Sequence, residues 1–153
     1  ELMEIREQKL IGTAGELFTA FELTIIGVQC DLIKQDGTDV VAVKGKNVHL
    51  AQRIEVKTST YVDDKKCYSF STSKGGQKRA YTKQDCDIIA LVALPERKIQ
   101  FISVGSHKGM TKKVHVNTFR NDDNLIKKSW DIALEKSLTE SRIVLEDWYN
   151  NKQ

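Results

Sequence analysis

Apolar residues near the start of the chain recur at helical spacing and predict a first helix from about Met3 to Ile26. Gly27 is the residue type that commonly ends a helix. Glu16 lies on the side of this helix opposite its apolar face, and its neighbours one and two turns away are mostly small, which leaves room for a close approach. The apolar face comprises Leu10, Ile11, Ala14, Leu17, Phe18, Phe21 and Ile25.

The middle of the chain alternates between apolar runs and turn signals, which predicts a series of strands. Asp36-Gly37 and the stretch from Lys44 to Asn47 are the turn signals between the first three strands. Pro95, the only proline, closes the most apolar of the runs. The predicted strands are Val28–Gln35, Asp39–Val43, Leu50–Thr58, Cys67–Ser71, Asp87–Leu94 and Lys98–Val104.

Helical segments complete the pattern. Lys74 to Gln84 is a basic connection that is compatible with a short helix, and Gly75-Gly76 forms its flexible start. From Asp122 to Tyr149 the apolar spacing is helical again. Together these elements predict an α/β or α+β fold, in which helices flank a mixed β-sheet of about five strands and further helices follow at the C-terminus. We expect residues 1–153 to form a single domain, with a core at about 10–104 and a helical region at about 120–150.

Composition and charge narrow the class of protein. With 40% apolar and 29% charged residues, and no apolar run near the ~20 residues of a membrane span, we expect an intracellular protein of the cytoplasm or nucleoid without a membrane partner. Three cysteines without a C-x-x-C pair and three scattered histidines give no signature of a zinc or nucleophilic site. The net charge of +3 does not by itself mark a nucleic-acid-binding protein. Basic residues nevertheless cluster at Lys74, Lys78, Arg79 and Lys83, and again at Lys108, Lys112 and Lys113.

The segment Glu55-Val56-Lys57 is the motif that points most directly to chemistry. The acid-x-Lys pattern occurs five times in the chain, but only this copy lies in an apolar strand. Side chains alternate faces along a strand, so Ile54 and Val56 point toward a core while Glu55 and Lys57 lie side by side on the other face. Such a pair suits a site that holds a divalent cation beside a phosphate, although a salt bridge on a solvent-facing sheet has the same pattern.

Asp39 is the candidate second carboxylate, because it opens the strand that precedes the Glu55 strand. A hairpin loop of about five residues places Asp39 directly opposite Glu55, whereas a tight turn at Gly45-Lys46 places Asp36 there instead. We favour Asp39, since Asp36 is typical of a turn, and a strand-end cap is the structural alternative for Asp39. Two carboxylates on adjacent strands and one backbone carbonyl are enough ligands for Mg²⁺.

The order of these segments resembles the PD-(D/E)XK nuclease superfamily, which includes restriction endonucleases, archaeal-type Holliday junction resolvases and some group I intron homing endonucleases. The resemblance rests on Gly15-Glu16 in the helix, Gly37-Thr38-Asp39, and Ile54 to Thr58, within about residues 10–94. It implies a restriction-endonuclease-like core of a helix, three antiparallel strands, a crossover helix and two further strands. Thr38 stands where the family pattern has proline.

The resemblance also implies roles for individual residues. Asp39 and Glu55 would bind Mg²⁺ or Mn²⁺, with the Val56 carbonyl as a third ligand, and Lys57 would orient or activate water and stabilise the phosphate. Glu16 would be a further candidate catalytic residue that lies near the metal, directly or through water. The candidate nucleic-acid contacts are Lys74, Gln77, Lys78, Arg79 and Lys83.

These observations predict a Mg²⁺-dependent endodeoxyribonuclease that acts on duplex or branched DNA, as a resolvase-like or a homing or restriction-like enzyme. One site per chain favours a homodimer, because both strands of a duplex need a site. The C-terminal helices are candidates for the dimer interface or for a cap on the sheet. A non-catalytic nucleic-acid-binding module on the same fold and a protein-interaction domain are the alternatives.

Overall fold

Helix α1 spans Ile5–Ile25 in the computed structural model, which describes residues 5–35, 38–45 and 51–153. The helix ends as predicted at Gly27, whose φ of 90° is the left-handed conformation that glycine adopts readily. The predicted helix start at Met3, the turn at Asp36-Gly37 and the part of the hairpin loop from Lys46 to Leu50 lie outside the described residues.

The predicted strands are present with small shifts of their ends, and three short strands accompany them. In chain order the strands are β1 (Val28–Gln35), β2 (Thr38–Gly45), β3 (Gln52–Ser59), β4 (Cys67–Ser71), β5 (Ser73–Lys74), β6 (Arg79–Ala80), β7 (Ile88–Ala93), β8 (Lys98–Ser103) and β9 (Thr111–His115). Helices α2 (Val116–Arg120) and α3 (Leu125–Asn151) follow.

The main sheet is mixed, as the sequence predicts, and has the strand order β1-β2-β3-β7-β8. Strands β3 and β7 run parallel, whereas the other neighbouring pairs are antiparallel. A parallel pair buried on both faces needs a continuous apolar strand, and all six residues of β7 are buried. The fold is therefore α+β, with helices flanking a five-stranded mixed sheet.

Apolar cores cover both faces of the sheet. Ile88 and Ala90 of β7 face one core, which also contains Leu23 of α1 and Trp130 of α3. Ile89, Leu91 and Ala93 of the same strand face the second core. The β4–β9 ribbon, α2 and the chain that follows β6 close this second core. Strand β7 thus lies between two packed layers, and β3 is its neighbour in the sheet.

The connection between β3 and β7 contains no helix, so both the short helix predicted within Lys74–Gln84 and the crossover helix implied by the resemblance are wrong. The chain instead forms the hairpin β5–β6, in which Ser73 pairs with Ala80. Gly76 and Lys78 both have positive φ, and left-handed residues suit a tight turn rather than a helix. Strand β4 also leaves the main sheet and pairs with β9, which the sequence pattern did not predict.

Helix α3 confirms the predicted C-terminal helical region as one continuous helix. Its first half caps the sheet, where Trp130, Ala133 and Leu134 are buried. Its last turns expose large apolar side chains, namely Ile143, Val144, Leu145, Trp148 and Tyr149. Within the described residues, no helix is both long enough and apolar enough to span a membrane.

Candidate active site

Strand β3 places Glu55 and Lys57 on the face of the sheet opposite α1, as the alternation predicts. Ile54 and Val56 belong to the core beneath α1, so the intervening side chains turn toward the second layer. Glu55 is only 8% exposed, and its Oε1 lies 3.3 Å from the Nζ of Lys57. The pair is therefore a partly buried ion pair, not one on an open surface.

Asp39 joins this pair through the register of β2 on β3. Val40 pairs with Ile54, and the next position along the same antiparallel ladder sets Asp39 beside Glu55. This is the register expected for the longer hairpin loop. The backbone N–H of Val56 donates a hydrogen bond to Asp39 Oδ2 at 2.8 Å. The carboxylate of Asp39 is thus held over β3 by the backbone between Glu55 and Lys57.

The two carboxyl groups both have a raised pKa. Burial is the largest cause for each, and the charge of Asp39 raises the pKa of Glu55 further. Lys57 opposes both shifts, but one ammonium faces two carboxylates. Deprotonating both carboxyl groups in this half-buried place is unfavourable without additional positive charge. A cation bound between them would supply that charge.

The donor set fits a magnesium ion. Mg²⁺ prefers oxygen ligands, keeps several waters and uses one or two protein carboxylates, which is what Asp39 and Glu55 offer. No group of three or more His, Cys, Asp or Glu side chains that could hold a metal occurs among the described residues.

Tyr81 is a fourth component of the site, and the sequence did not single it out. Its hydroxyl donates a hydrogen bond to Glu55 Oε1 at 3.0 Å, and burial raises the pKa of the phenol. Its ring lies under Lys57, with the ammonium nitrogen 5.0 Å from the ring centroid. The only signal in the sequence was an aromatic residue inside a basic cluster, which does not reveal a contact with a strand 26 residues away.

Helix α1 approaches β3 closely on the face of the sheet opposite Glu55 and Lys57. A Cβ atom on Gly15 would lie 1.8 Å from Thr58 Oγ1, so only glycine permits the observed distance between the helix and the strand. Glu16 follows Gly15 directly and is half-buried. The close approach of β3 is therefore made at Gly15 and not at the small residues one and two turns from Glu16, since a Cβ on Gly12 would meet no atom of the described residues within 4 Å. The catalytic role of Glu16 stays a prediction.

The basic cluster after β4 is largely paired with acidic residues inside the chain. Lys74 and Arg79 both contact the carboxylate of Asp85, at 3.1 Å and 2.7 Å respectively. Lys83 lies 2.9 Å from a carboxylate oxygen of Asp87. These three cations contribute to holding the connection in place, and their predicted contacts with nucleic acid stay untested.

The remaining predicted contacts, Gln77 and Lys78, are exposed in the turn of the β5–β6 hairpin. Gln77 accepts a hydrogen bond from Arg79 through its side-chain oxygen, at 2.9 Å. The structure brings Asp39, Glu55 and Lys57 together. The predicted DNA contacts from Lys74 to Arg79 lie on the β5–β6 hairpin, whereas Lys83 lies in the segment after it, two residues beyond Tyr81.

The mixed sheet with its flanking helices is a fold shared with a solved nuclease. That structure is the bacterial homing endonuclease I-Ssp6803I, which matches with a TM-score of 0.63 and 13% sequence identity over 88% of this chain and 96% of that chain. No protein-family model and no curated protein matches the chain by sequence. At this level of identity the likeness establishes the common fold.

Proposed function

We propose that the chain is a metal-dependent DNA endonuclease of the PD-(D/E)XK superfamily that hydrolyses phosphodiester bonds. The observation that carries the proposal is the convergence of Asp39, Glu55 and Lys57 on one face of adjacent strands, at the distances given above. The fold shared with a homing endonuclease supports it. The order of these residues in the sequence agrees with the superfamily pattern.

Each residue has a role that follows from its chemistry. Asp39 and Glu55 would hold Mg²⁺ or Mn²⁺, together with the Val56 carbonyl. The cation would neutralise charge on the scissile phosphate and lower the pKa of water. Lys57 orients the attacking water and stabilises the developing negative charge, because its ammonium already lies against Glu55. For Glu16 we keep the further catalytic role that the resemblance to the superfamily implies, from a helix that packs on the other face of β3.

The substrate of the proposed enzyme is duplex or branched DNA, cut in a resolvase-like or a homing or restriction-like reaction. A single proposed site per chain favours a homodimer, in which two sites cut two strands. The exposed apolar end of α3 is the surface that we assign to this dimer, because large apolar side chains cluster there without cover from the described part of the chain.

Cleavage of supercoiled plasmid and of a synthetic four-way junction, with Mg²⁺ or Mn²⁺ against EDTA, tests the proposal. Glu55→Ala and Lys57→Ala should each lower the cleavage rate by more than about 100-fold, because they remove groups that act on the reacting phosphate. Lys65→Ala is the matched control, since Asp63-Asp64-Lys65 has the same spacing of acid and lysine but Lys65 is exposed.

The outcomes separate the alternatives. Metal-dependent cutting that is lost in both site variants and retained in the control supports the nuclease, and the preferred substrate distinguishes a resolvase from a site-specific enzyme. Salt-sensitive DNA binding without cutting favours the non-catalytic nucleic-acid-binding module. If the protein neither cuts nor binds DNA, the result favours the protein-interaction domain, in which Glu55 and Lys57 form a structural ion pair.

A further inference from the structure

Tyr81 contacts both functional side chains of β3 at once. The phenol donates to Glu55 Oε1 at 3.0 Å, and Lys57 Nζ lies 3.3 Å from the same oxygen and 5.0 Å from the centre of the tyrosine ring. The three groups form a closed triangle in which every pair is in contact. Tyr81 itself is only 7% exposed, so its ring shields Glu55 and Lys57 from solvent where it contacts them.

The backbone around Tyr81 is fixed on both sides. Its N–H donates to the carbonyl of Thr72 at 3.1 Å, which ties it to the end of β4. Immediately after it, the backbone N–H of Thr82 donates to the Asp85 carboxylate at 2.8 Å. Just before it, Arg79 donates two hydrogen bonds to the same carboxylate, at 2.7 and 3.0 Å. The phenol therefore reaches Glu55 from a rigid support.

The position of the contacts on Glu55 determines what they do. The phenol and the Lys57 ammonium both contact Oε1, and fixing one oxygen of a planar carboxylate also restricts the position of the other. The face of an aromatic ring attracts a cation, so the ring restrains the ammonium of Lys57 as well. Without these contacts, both side chains would sample several rotamers, and the positions of the carboxylate and the ammonium would be less well defined.

We propose that Tyr81 is a positioning residue of the site, which orients Glu55 for cation binding and Lys57 for contact with the phosphate. This inference rests on the proposed nuclease function. Tyr81 acts through Glu55 and Lys57, in the way that hydrogen-bonding partners behind a metal ligand orient that ligand. It belongs to the β5–β6 connection, so that connection contributes to the geometry of the site on β3.

The competing explanation is that Tyr81 only fills the second core, of which it is a buried member. Tyr81→Phe keeps the ring and its contact with Lys57, and removes only the hydrogen bond to Glu55. Tyr68→Phe is a matched control in the same core. Tyr68 is buried as well, and its hydroxyl donates at 3.1 Å to Glu96, a carboxylate outside the site. A purely structural role predicts equal effects of the two substitutions.

The experiment compares the full chain with Tyr81→Phe and Tyr68→Phe by three measurements. These are thermal unfolding, Mn²⁺ binding by calorimetry without DNA, and plasmid cleavage as a function of DNA and Mn²⁺ concentration. We expect Tyr81→Phe to weaken Mn²⁺ binding by about 10- to 100-fold and to lower kcat by a similar factor, with the KM for DNA nearly unchanged. Tyr68→Phe should leave both properties unchanged, and the two variants should lose similar thermal stability.

The results separate failure of this inference from failure of the proposed function. If wild-type protein binds Mn²⁺ or cuts DNA, and Tyr81→Phe behaves as Tyr68→Phe does, the positioning role is wrong while the nuclease proposal stands. If wild-type protein binds Mn²⁺ but cuts neither DNA substrate, the binding data alone decide the role of Tyr81. If it neither binds nor cuts, the proposed function fails, and the inference that rests on it fails too.

Discussion

Asp85 shows how a single buried carboxylate organises the connection between β3 and β7. Its side chain is only 4% exposed and accepts hydrogen bonds from Arg79, Lys74 and the backbone of Thr82. Arg79 is the main reason why the carboxyl pKa of Asp85 lies well below its ordinary value. The cations that a sequence reader would assign to DNA therefore also stabilise the fold.

The low pKa of Asp85 predicts a pH-dependent contribution to stability. A folded-state pKa below the unfolded value of about 4 means that the contribution is complete above pH 4 and is lost as the pH falls through the folded pKa. We expect Asp85→Asn to cost about 2 kcal/mol at pH 7, and this cost to shrink as the pH falls below 4. Urea unfolding of both proteins between pH 7 and pH 3 measures the difference.

Asp131→Asn is the control for this prediction. Asp131 pairs with Lys127 on the exposed side of α3, where an ion pair contributes at most about 1 kcal/mol. An Asp85→Asn cost that stays constant down to pH 3 would contradict the assigned role of its charge.

The individual residues of the site were partly predictable from the sequence. Alternation along β3 was sufficient to place Glu55 and Lys57 on one face, because a strand permits no other arrangement. The choice of Asp39 needed a loop length that the sequence left open. Tyr81 and the pairing of Lys74 with Asp85 depend on how the connection folds back over the sheet, and no local pattern encodes that path.

Among the elements, α1 and β3 show the tightest sequence requirement. Gly15 lies against Thr58, whose buried Oγ1 has no hydrogen-bond partner among the described residues. Gly12, one turn earlier in the same helix, has no heavy atom of the described residues within 4 Å of the position that a Cβ would take. The two glycines therefore differ in packing while they share a helical environment.

We expect Gly15→Ala to destabilise the protein by about 1–3 kcal/mol, because the helix has to move away from β3. Gly12→Ala should instead be neutral or stabilise by up to about 1 kcal/mol through its helix propensity. Denaturant unfolding compares the two variants directly. In a Thr58→Ala background, which removes Oγ1, the cost of Gly15→Ala should fall. Equal effects of the two glycine substitutions would show that the close approach is not a constraint.

The strands that the sequence analysis did not predict all lack a strong apolar periodicity of their own. Strand β9 contains a single buried residue, Val114, and pairs with β4 from far along the chain, so its own pattern is weak. The β5–β6 hairpin depends on left-handed residues and on Asp85 rather than on apolar periodicity. The strands with continuous or alternating apolar patterns, such as β7 and β8, were predicted to within one residue.

For the whole molecule, the contrast between the two halves of α3 is the feature with consequences for assembly. The first half is buried on the sheet, whereas Leu145 and Trp148 near the end are exposed, Trp148 by 56%. A short helical end without packing is marginal in water, and exposed apolar clusters of this kind commonly mark contact surfaces. The first half of the helix is thus the predicted cap on the sheet, and the predicted dimer interface stays a prediction that concerns the exposed second half.

The proposed homodimer yields a direct test. Leu145→Glu and Trp148→Glu should each weaken self-association by more than about 10-fold, because they place charge in an apolar interface. Size-exclusion chromatography with light scattering, over a range of protein concentrations, measures the effect. Met110→Glu, at another exposed apolar position, is the control and should leave the dimer intact. A wild-type protein that is monomeric at all concentrations would contradict the dimer.

The parallel pairing of β3 with β7 has a consequence for the order in which this protein acquires its site. Ile54 pairs with Ile88, so β3 finds this neighbour only after a long stretch of chain has been made, and closing that loop costs entropy. The β7–β8 hairpin closes between Ala93 and Lys98, which is far cheaper. During synthesis, Asp39, Glu55, Lys57 and Tyr81 all leave the ribosome before the strand that anchors β3, and a nascent chain carries the chemical groups of the site before it can position them.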